Sequence, residues 1–264
     1  MLKQRIITAI IALAILAIVL FALPVVAARA VIAAIIVAGA WEWGGFLFAG
    51  RTALRLVYLV FVAGAIAALF LALPNHELLE NVFRLALCWW LIALVWMRFF
   101  PTPIPKAVSW ICGLLVLLPA WAALDHLYAE NPRLLLFALL IVWIADIGAY
   151  FVGRRFGRVK LAPKISPGKT WEGVLGGLAA VALLAAVGSP LLGVDIKVLI
   201  PFCLAVSMLS VVGDLTVSMF KRSAGVKDSG TLFPGHGGVL DRIDSVTAAA
   251  PLFALALHWI GLPG

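Results

Sequence analysis

LRLVYLVFVAGAIAALFLAL, residues 54–73, carries one charged side chain in twenty positions. A helix of that length rises about 30 Å, the thickness of the hydrocarbon core of a bilayer. It has no polar face to turn toward water, so the segment reads as a membrane span. The same reading repeats on both sides of it. Apolar runs cover 6–23, 25–49, 54–73, 82–99, 107–124, 134–152, 171–189, 198–220 and 245–261, and nine helical spans are expected. Pro24, Pro74, Pro101, Pro132 and Pro190 fall at or just beyond the ends of these runs, where helices tolerate proline best. Trp41, Trp43, Trp110, Trp171 and Trp259 lie near the ends, as an interfacial aromatic belt would place them.

Composition excludes the alternatives. Of 264 residues, 65% are hydrophobic and 12% charged, with a mean hydropathy of +1.15. A soluble domain carries about twice that share of charge, and a disordered chain far less apolar surface. The expectation is an all-α, polytopic integral membrane protein forming a single transmembrane domain over 1–264. No internal repeat, low-complexity tract or linker interrupts it. Cys88, Cys112 and Cys203 each lie in an apolar stretch without CxxC spacing and read as small buried hydrophobes. The apolar run at 6–23 exceeds a usual signal-peptide core, so an uncleaved first span is expected; the small residues Val26, Ala27 and Ala28 keep signal cleavage as the alternative.

The net charge of +8 would suggest nucleic acid in a soluble protein. Here the charges sit between spans, and no nucleic-acid partner is expected. With the N-terminus in the cytoplasm, sixteen of the twenty Lys and Arg residues fall on the cytoplasmic side; Arg29, Arg84, Arg133 and Lys197 fall outside. That asymmetry is the positive-inside pattern. It puts the two long polar loops on the cytoplasmic face.

The first loop, GRRFGRVKLAPKISPGKT at 153–170, holds six bases and no acid. Topology and anionic headgroups explain such charge; a site for a phosphate-bearing substrate explains it equally, with Lys169 as the candidate contact. Ser166 and Pro167 read as a helix cap and first-turn proline opening the seventh span, a helix end whose free N–H groups suit an anion. Gly168-Lys169-Thr170 is no phosphate-binding P-loop, because Pro163 stands where its first glycine belongs.

The second loop carries more. SMFKRSAGVKDSGTLFPGHGGVLDRID, 218–244, mixes Lys221, Arg222, Lys227 and Arg242 with Asp228, Asp241, Asp244 and His236. Topology needs no aspartates, and the chain has only twelve acids. Just upstream, Asp214 interrupts an apolar run, and Ser207, Ser210, Asp214, Ser218 and Lys221 share one helix face. An ionisable group inside a span marks a functional site by default; a structural Asp–Lys pair is the plain alternative. Asp241 and Asp244, one helical turn apart, aim the same way, or else cap the last span. Asp146 lies late in the sixth span, one turn before Tyr150, on the same side as both loops. Glu172 is accounted for as a helix-start carboxylate. His236, between glycines, reads either as a phosphate contact or as a turn-stabilising hydrogen bond. The first five spans hold almost no ionisable residue. Converging carboxylates flanked by Lys and Arg suit Mg²⁺ and phosphate groups, which points to phosphoryl or nucleotidyl transfer in the C-terminal half, about 134–264.

This stretch resembles the C-terminal signature of the phosphatidate cytidylyltransferases, also called CDP-diglyceride synthases. The pattern runs Ser218, Lys221-Arg222, Lys227-Asp228, Pro234, His236-Gly237-Gly238, Asp241-Arg242 and Asp244, with no departure. The similarity continues upstream through WIADIGAYFVGRRFG and SPGKTWEG. The resemblance implies that CTP and phosphatidic acid give CDP-diacylglycerol and pyrophosphate in a bacterial inner membrane, with the active site toward the cytoplasm. It implies a divalent cation, normally Mg²⁺, and a homodimer. By motif position, Asp214 and Asp241, then Asp244, are the metal ligands, and these three with Lys221 are the catalytic set. Lys221, Arg222 and Lys227 would hold phosphates. Asp228 and His236 would shape the loop or orient the nucleotide, and Ser218, Arg242, Lys169 and Asp146 complete the substrate-binding set. Two other classes remain: a CTP-dependent lipid kinase, which releases CDP rather than pyrophosphate, and an anion transporter, which would carry polar residues near mid-membrane in several spans.

Overall fold

The computed structural model describes residues 2–72, 75–230, 237–257 and 259–262, with backbone only at 2–10 and 12. Its helices are α1 Leu2–Phe21, α2 Val25–Leu47, α3 Thr52–Ala72, α4 His76–Met97, α5 Lys106–Glu130, α6 Pro132–Phe156, α7 Trp171–Leu192, α8 Ile196–Ser223 and α9 Leu240–Ala256. α2 to α8 are each long and apolar enough to cross a membrane. α9 has 17 residues and is buried almost all round, from Asp244 to Pro251 and again from Phe253 to Ala256. It packs against α8, α5, α4, α6 and α2 and forms the centre of the bundle, as a helix apolar on every side must.

Side-chain contacts sort the helix ends into two groups. At one end, Arg29 near the start of α2 makes a bidentate pair with Asp125 near the end of α5, at 2.7 and 2.5 Å. Asp125 is 1% exposed, and Arg29 also lies over the Phe70 ring of α3. At the other end, Trp43 of α2 donates to the Ser109 carbonyl of α5, and Arg55 of α3 donates to the Trp41 carbonyl. The helices therefore alternate in direction, and the ends of α2, α6 and α8 meet the starts of α7 and α9.

Several local readings need correction. The loop at 153–170 is not all coil. Lys160–Ala162 (β1) and Ser166–Thr170 (β2) form a two-stranded antiparallel hairpin. Ser166 is therefore not a helix cap. Thr170 caps α7, its Oγ1 accepting from the Gly173 N–H at 3.2 Å. A hairpin with two free edges tolerates Pro167, which has no N–H to pair. Pro190 lies inside the last turn of α7 rather than at its end. α5 runs six residues past its expected limit to Glu130, with Pro119 inside it; that extension brings Asp125 to Arg29. α4 starts at His76, not 82, because Asn75 caps it by accepting from the Leu78 N–H. Trp43 is fully buried and is no part of an interfacial belt, while Trp171 and Trp259 are exposed. Cys88 is exposed, unlike Cys112 and Cys203.

α6 and α7 approach most closely, through small residues that let backbones touch. A Cβ on Gly177 would lie 2.6 Å from the Ala145 carbonyl oxygen, and one on Gly148 would lie 2.9 Å from that of Gly176. Gly64 of α3, by contrast, has open space around it. Gly177→Val should therefore lower stability by about 1–3 kcal/mol through overpacking. Gly64→Ala should be neutral or raise it by up to about 1 kcal/mol, because alanine favours helix. Thermal unfolding of both variants in detergent checks the contrast.

Candidate active site

Where the ends of α6 and α8 meet the hairpin and the start of α7, a cavity of about 510 Å³ opens. Asp146, Tyr150, Arg154, Lys169, Ser207 and Asp214 line it. Each arrives for a local reason. Asp146, Tyr150 and Arg154 recur at four-residue spacing on one face of α6, and Arg154 donates to the Tyr150 hydroxyl at 2.9 Å. Ser207 and Asp214 share a face of α8. Lys169 comes from β2, whose register pairs Lys160 with Thr170 and Ala162 with Ser166. The hairpin is pinned three times. Trp171 N–H donates to the Val159 carbonyl, Val159 N–H donates to both Glu172 carboxylate oxygens, and Ile165 in the turn is buried. Glu172 thus holds the hairpin to the first turn of α7.

Four of the carboxylates expected from the sequence, Asp146, Asp214, Asp244 and Asp241, are brought together in a row. Asp214 pairs with Lys169 at 2.5 Å and accepts from the Ser218 hydroxyl at 3.2 Å, one turn along α8. Asp146 lies within electrostatic reach of Lys169 and Asp214 and faces Ser245 of α9. Asp244 lies within reach of Asp214, Lys169 and Lys221, and its Oδ1 accepts from the Ser245 N–H. Lys221 is buried; its Nζ stands 2.7 Å from Asp241 and 4.0 Å from Asp244. The other oxygen of Asp241 accepts from the Ser229 and Gly238 N–H groups, both at 2.9 Å. Two acids and a buried lysine on neighbouring helix ends are mutually required: an unpaired charge there would cost several kcal/mol.

Arg222 turns to the hairpin, its Nε donating to the Ile165 carbonyl at 3.1 Å. It ties the end of α8 to the turn of the hairpin that carries Lys169. α8 ends at Ser223, and Gly225 just beyond it, at a φ of +74°, permits the Val226 N–H to reach back to the Lys221 carbonyl. Lys227 and Asp228 follow on an exposed loop. Arg242 is exposed on the first turn of α9. His236 and Pro234 lie outside the described residues.

The donor set can be tested against a divalent cation. Among the described residues no three Asp, Glu, His or Cys side chains form a ready-made ligand cluster. Asp241 spends both oxygens on Lys221 and two backbone N–H groups, and Asp214 has one oxygen on Lys169 and the other on the Ser218 hydroxyl, while Asp244 keeps the most capacity. One or two carboxylates completed by substrate phosphates is the arrangement Mg²⁺ favours, and these residues fit it.

One carboxylate at this end was missed. Glu42 of α2 is 5% exposed and reaches across to the second loop. It accepts from the Ser229 hydroxyl at 2.7 Å and from the Val239 and Leu240 N–H groups at 2.8 Å. The signal was present: a lone acid in an apolar run, the same signal that singled out Asp214.

Comparison with known proteins places the chain in a family. The cytidylyltransferase family matches residues 3–260. The chain is 46% identical to the phosphatidate cytidylyltransferase of Pseudomonas aeruginosa, over 98% of this chain and 97% of that one. It is 39% identical to that of Haemophilus influenzae, over 96% and 98% of the two chains. A phosphatidate cytidylyltransferase of Staphylococcus epidermidis is 47% identical over 49% of this chain and 50% of that one. The match spans the bundle as well as the loop from Ser218 to Asp244, and the chain belongs to the cytidylyltransferase family.

Proposed function

We propose that the protein transfers the cytidylyl group of CTP to phosphatidic acid at the cytoplasmic face of a bacterial inner membrane, giving CDP-diacylglycerol and pyrophosphate. The observation that carries this is the row Lys169–Asp214, Asp244, Lys221–Asp241, whose Lys169–Asp214 end lines the cavity beside α6 and the hairpin. The near-full-length identity to proteins named for this reaction supports it. The excess of Lys and Arg at the same helix ends supports the cytoplasmic assignment.

The lipid phosphate is itself an anionic nucleophile, so no dedicated general base is required. One of its oxygens forms a bond to the α-phosphorus of CTP. The bond from that phosphorus to the bridging oxygen breaks, and the electron pair leaves with pyrophosphate. The obstacle is anion approaching anion. Lys169 and Lys221, held in place by Asp214 and Asp241, present ammonium groups from two sides. Arg222 and Lys227 add positive charge at the loop. Arg154, over the cavity, suits the lipid headgroup, while the acyl chains stay in hydrocarbon. Asp214 and Asp244, with Asp241 behind them, would hold Mg²⁺, which when bound screens the triphosphate and stabilises the departing pyrophosphate. The family resemblance also leads us to propose a homodimer, which light scattering of the solubilised protein distinguishes from a monomer.

Purified protein given labelled CTP and phosphatidic acid should form CDP-diacylglycerol and pyrophosphate in equal amounts, dependent on Mg²⁺. Release of CDP with a phosphorylated lipid would make it a kinase instead. Asp214→Asn should lower kcat by about 10²–10³-fold, the scale for losing one electrostatic element of a transition state, with an unchanged unfolding midpoint. Wild-type turnover in that variant would remove Asp214 from the catalytic set.

A further inference from the structure

Glu42 is a buried acid in the N-terminal half of the chain, and neither lysine of the site touches it. Among the described residues its three donors come from two points of the second loop: Ser229 through its hydroxyl, and Val239 and Leu240 through their N–H groups. Asp241 grips the same two points through the Ser229 and Gly238 N–H groups. The two carboxylates together fix where the chain leaves the loop and where α9 begins. The N-cap residue of α9 makes no side-chain cap of its own, and two N–H groups at the start of the helix, those of Val239 and Leu240, are satisfied from α2. Space confirms the fit. A Cβ at Gly230 or Gly238 would run into the Glu42 carboxylate, which explains why glycine stands at both positions.

We propose that Glu42 is a positioning residue for the transfer reaction. By clamping Ser229 and the start of α9, it sets the direction in which Asp241 and Asp244 leave the first turn of that helix toward Lys221. The proposal rests on the reading above that Asp241 and Asp244 serve the reacting phosphates. A glutamine at this position keeps the shape of the side chain but replaces one acceptor oxygen by a donor. It must then face at least one N–H or hydroxyl with another donor.

The test is Glu42→Gln in the full chain, purified in detergent, with Ser229→Ala and the double variant alongside. Glu42→Gln should keep an unfolding midpoint near that of the wild type, and amide exchange should quicken at 237–245 while the rest of the chain is unchanged. Its kcat should fall roughly 10–100-fold, the usual effect of losing a hydrogen-bonded support behind a functional carboxylate, with KM for both substrates within about twofold. Ser229→Ala removes a single donor and should show the same pattern more weakly. The double variant should be no worse than Glu42→Gln, because both changes cut one network. Wild-type kcat in Glu42→Gln overturns the proposal, as does a loss of kcat without faster exchange at 237–245, or full additivity in the double variant. If Glu42→Gln does not fold, Ser229→Ala decides: unchanged exchange and unchanged kcat there overturn it. Asp241→Asn, assayed in parallel, separates the two readings. Normal turnover in that variant sinks the site assignment, whereas the exchange data judge the clamp by themselves.

Discussion

A carboxylate inside a helical bundle must be paired or hydrogen-bonded, and this constraint organises the whole molecule. Three such acids anchor its two ends. Asp125 takes Arg29 at one end; Asp214 and Asp241 take Lys169 and Lys221 at the other. Apolar packing in a lipid environment gives little preference for one helix pairing over another, because lipid tails are as apolar as leucine. Charge pairs and backbone-close glycine contacts supply that preference. Each pair also joins segments distant in sequence: Arg29 to Asp125 across α2 and α5, Lys169 to Asp214 across the hairpin and α8. The ends of the helices meet where the charges require it.

The same constraint explains why the site stands at the helix ends rather than at the centre of the membrane. A lysine at full bilayer depth is costly to keep charged. Lys221 avoids that cost by lying in the last turn of α8, where the C-terminal carbonyls favour a cation, beside the first turn of α9, where the free N–H groups favour Asp241. The antiparallel α8–α9 contact thus puts an ammonium and two carboxylates on the helix termini of matching polarity. Gly213 permits this closeness. A Cβ there would press on the Asp244 carbonyl oxygen and the Ala248 side chain.

Much of this was legible in the sequence because charge is rare in it. Asp214 stood out in an apolar run, and the spacing from Ser207 to Lys221 gave its helix face. Asp241 and Asp244, three apart, fell on one turn, as the helix beginning at Leu240 bears out. Glu42 and Asp125 are equally isolated acids, yet Glu42 sits between Trp41 and Trp43 near the end of the 25–49 run, where an interfacial belt accounts for its surroundings, and the 107–124 run stops one residue before Asp125. Hydropathy marks where a helix is apolar, not where its hydrogen bonding stops, so polar end turns were lost at α4, α5 and α9. The hairpin was illegible for another reason. Its strands, Lys-Leu-Ala and Ser-Pro-Gly-Lys-Thr, lack the alternating apolar pattern of a half-buried strand, and it is held by Glu172, Arg222 and the burial of Ile165 rather than by its own propensity.

That hairpin has a consequence for the chemistry. Lys169 reaches Asp214 from a two-stranded ribbon, a small element that is not stable alone, whereas Lys221 reaches Asp241 from the rigid end of a packed helix. Lys169 is also the more open of the two, at 27% side-chain exposure against 9% for Lys221. Breaking the Lys169–Asp214 pair therefore returns a half-open ammonium to water, and breaking the Lys221–Asp241 pair leaves a buried one without a partner. The cost of the second is far greater. Under the proposed function, an arriving phosphate would exchange with Asp214 for Lys169 at small cost, while Lys221, Asp241 and Asp244 would stay fixed as the frame against which it is placed. The unequal burial of the two lysines thus gives the proposed site one side able to yield to a substrate and one side rigid enough to orient it.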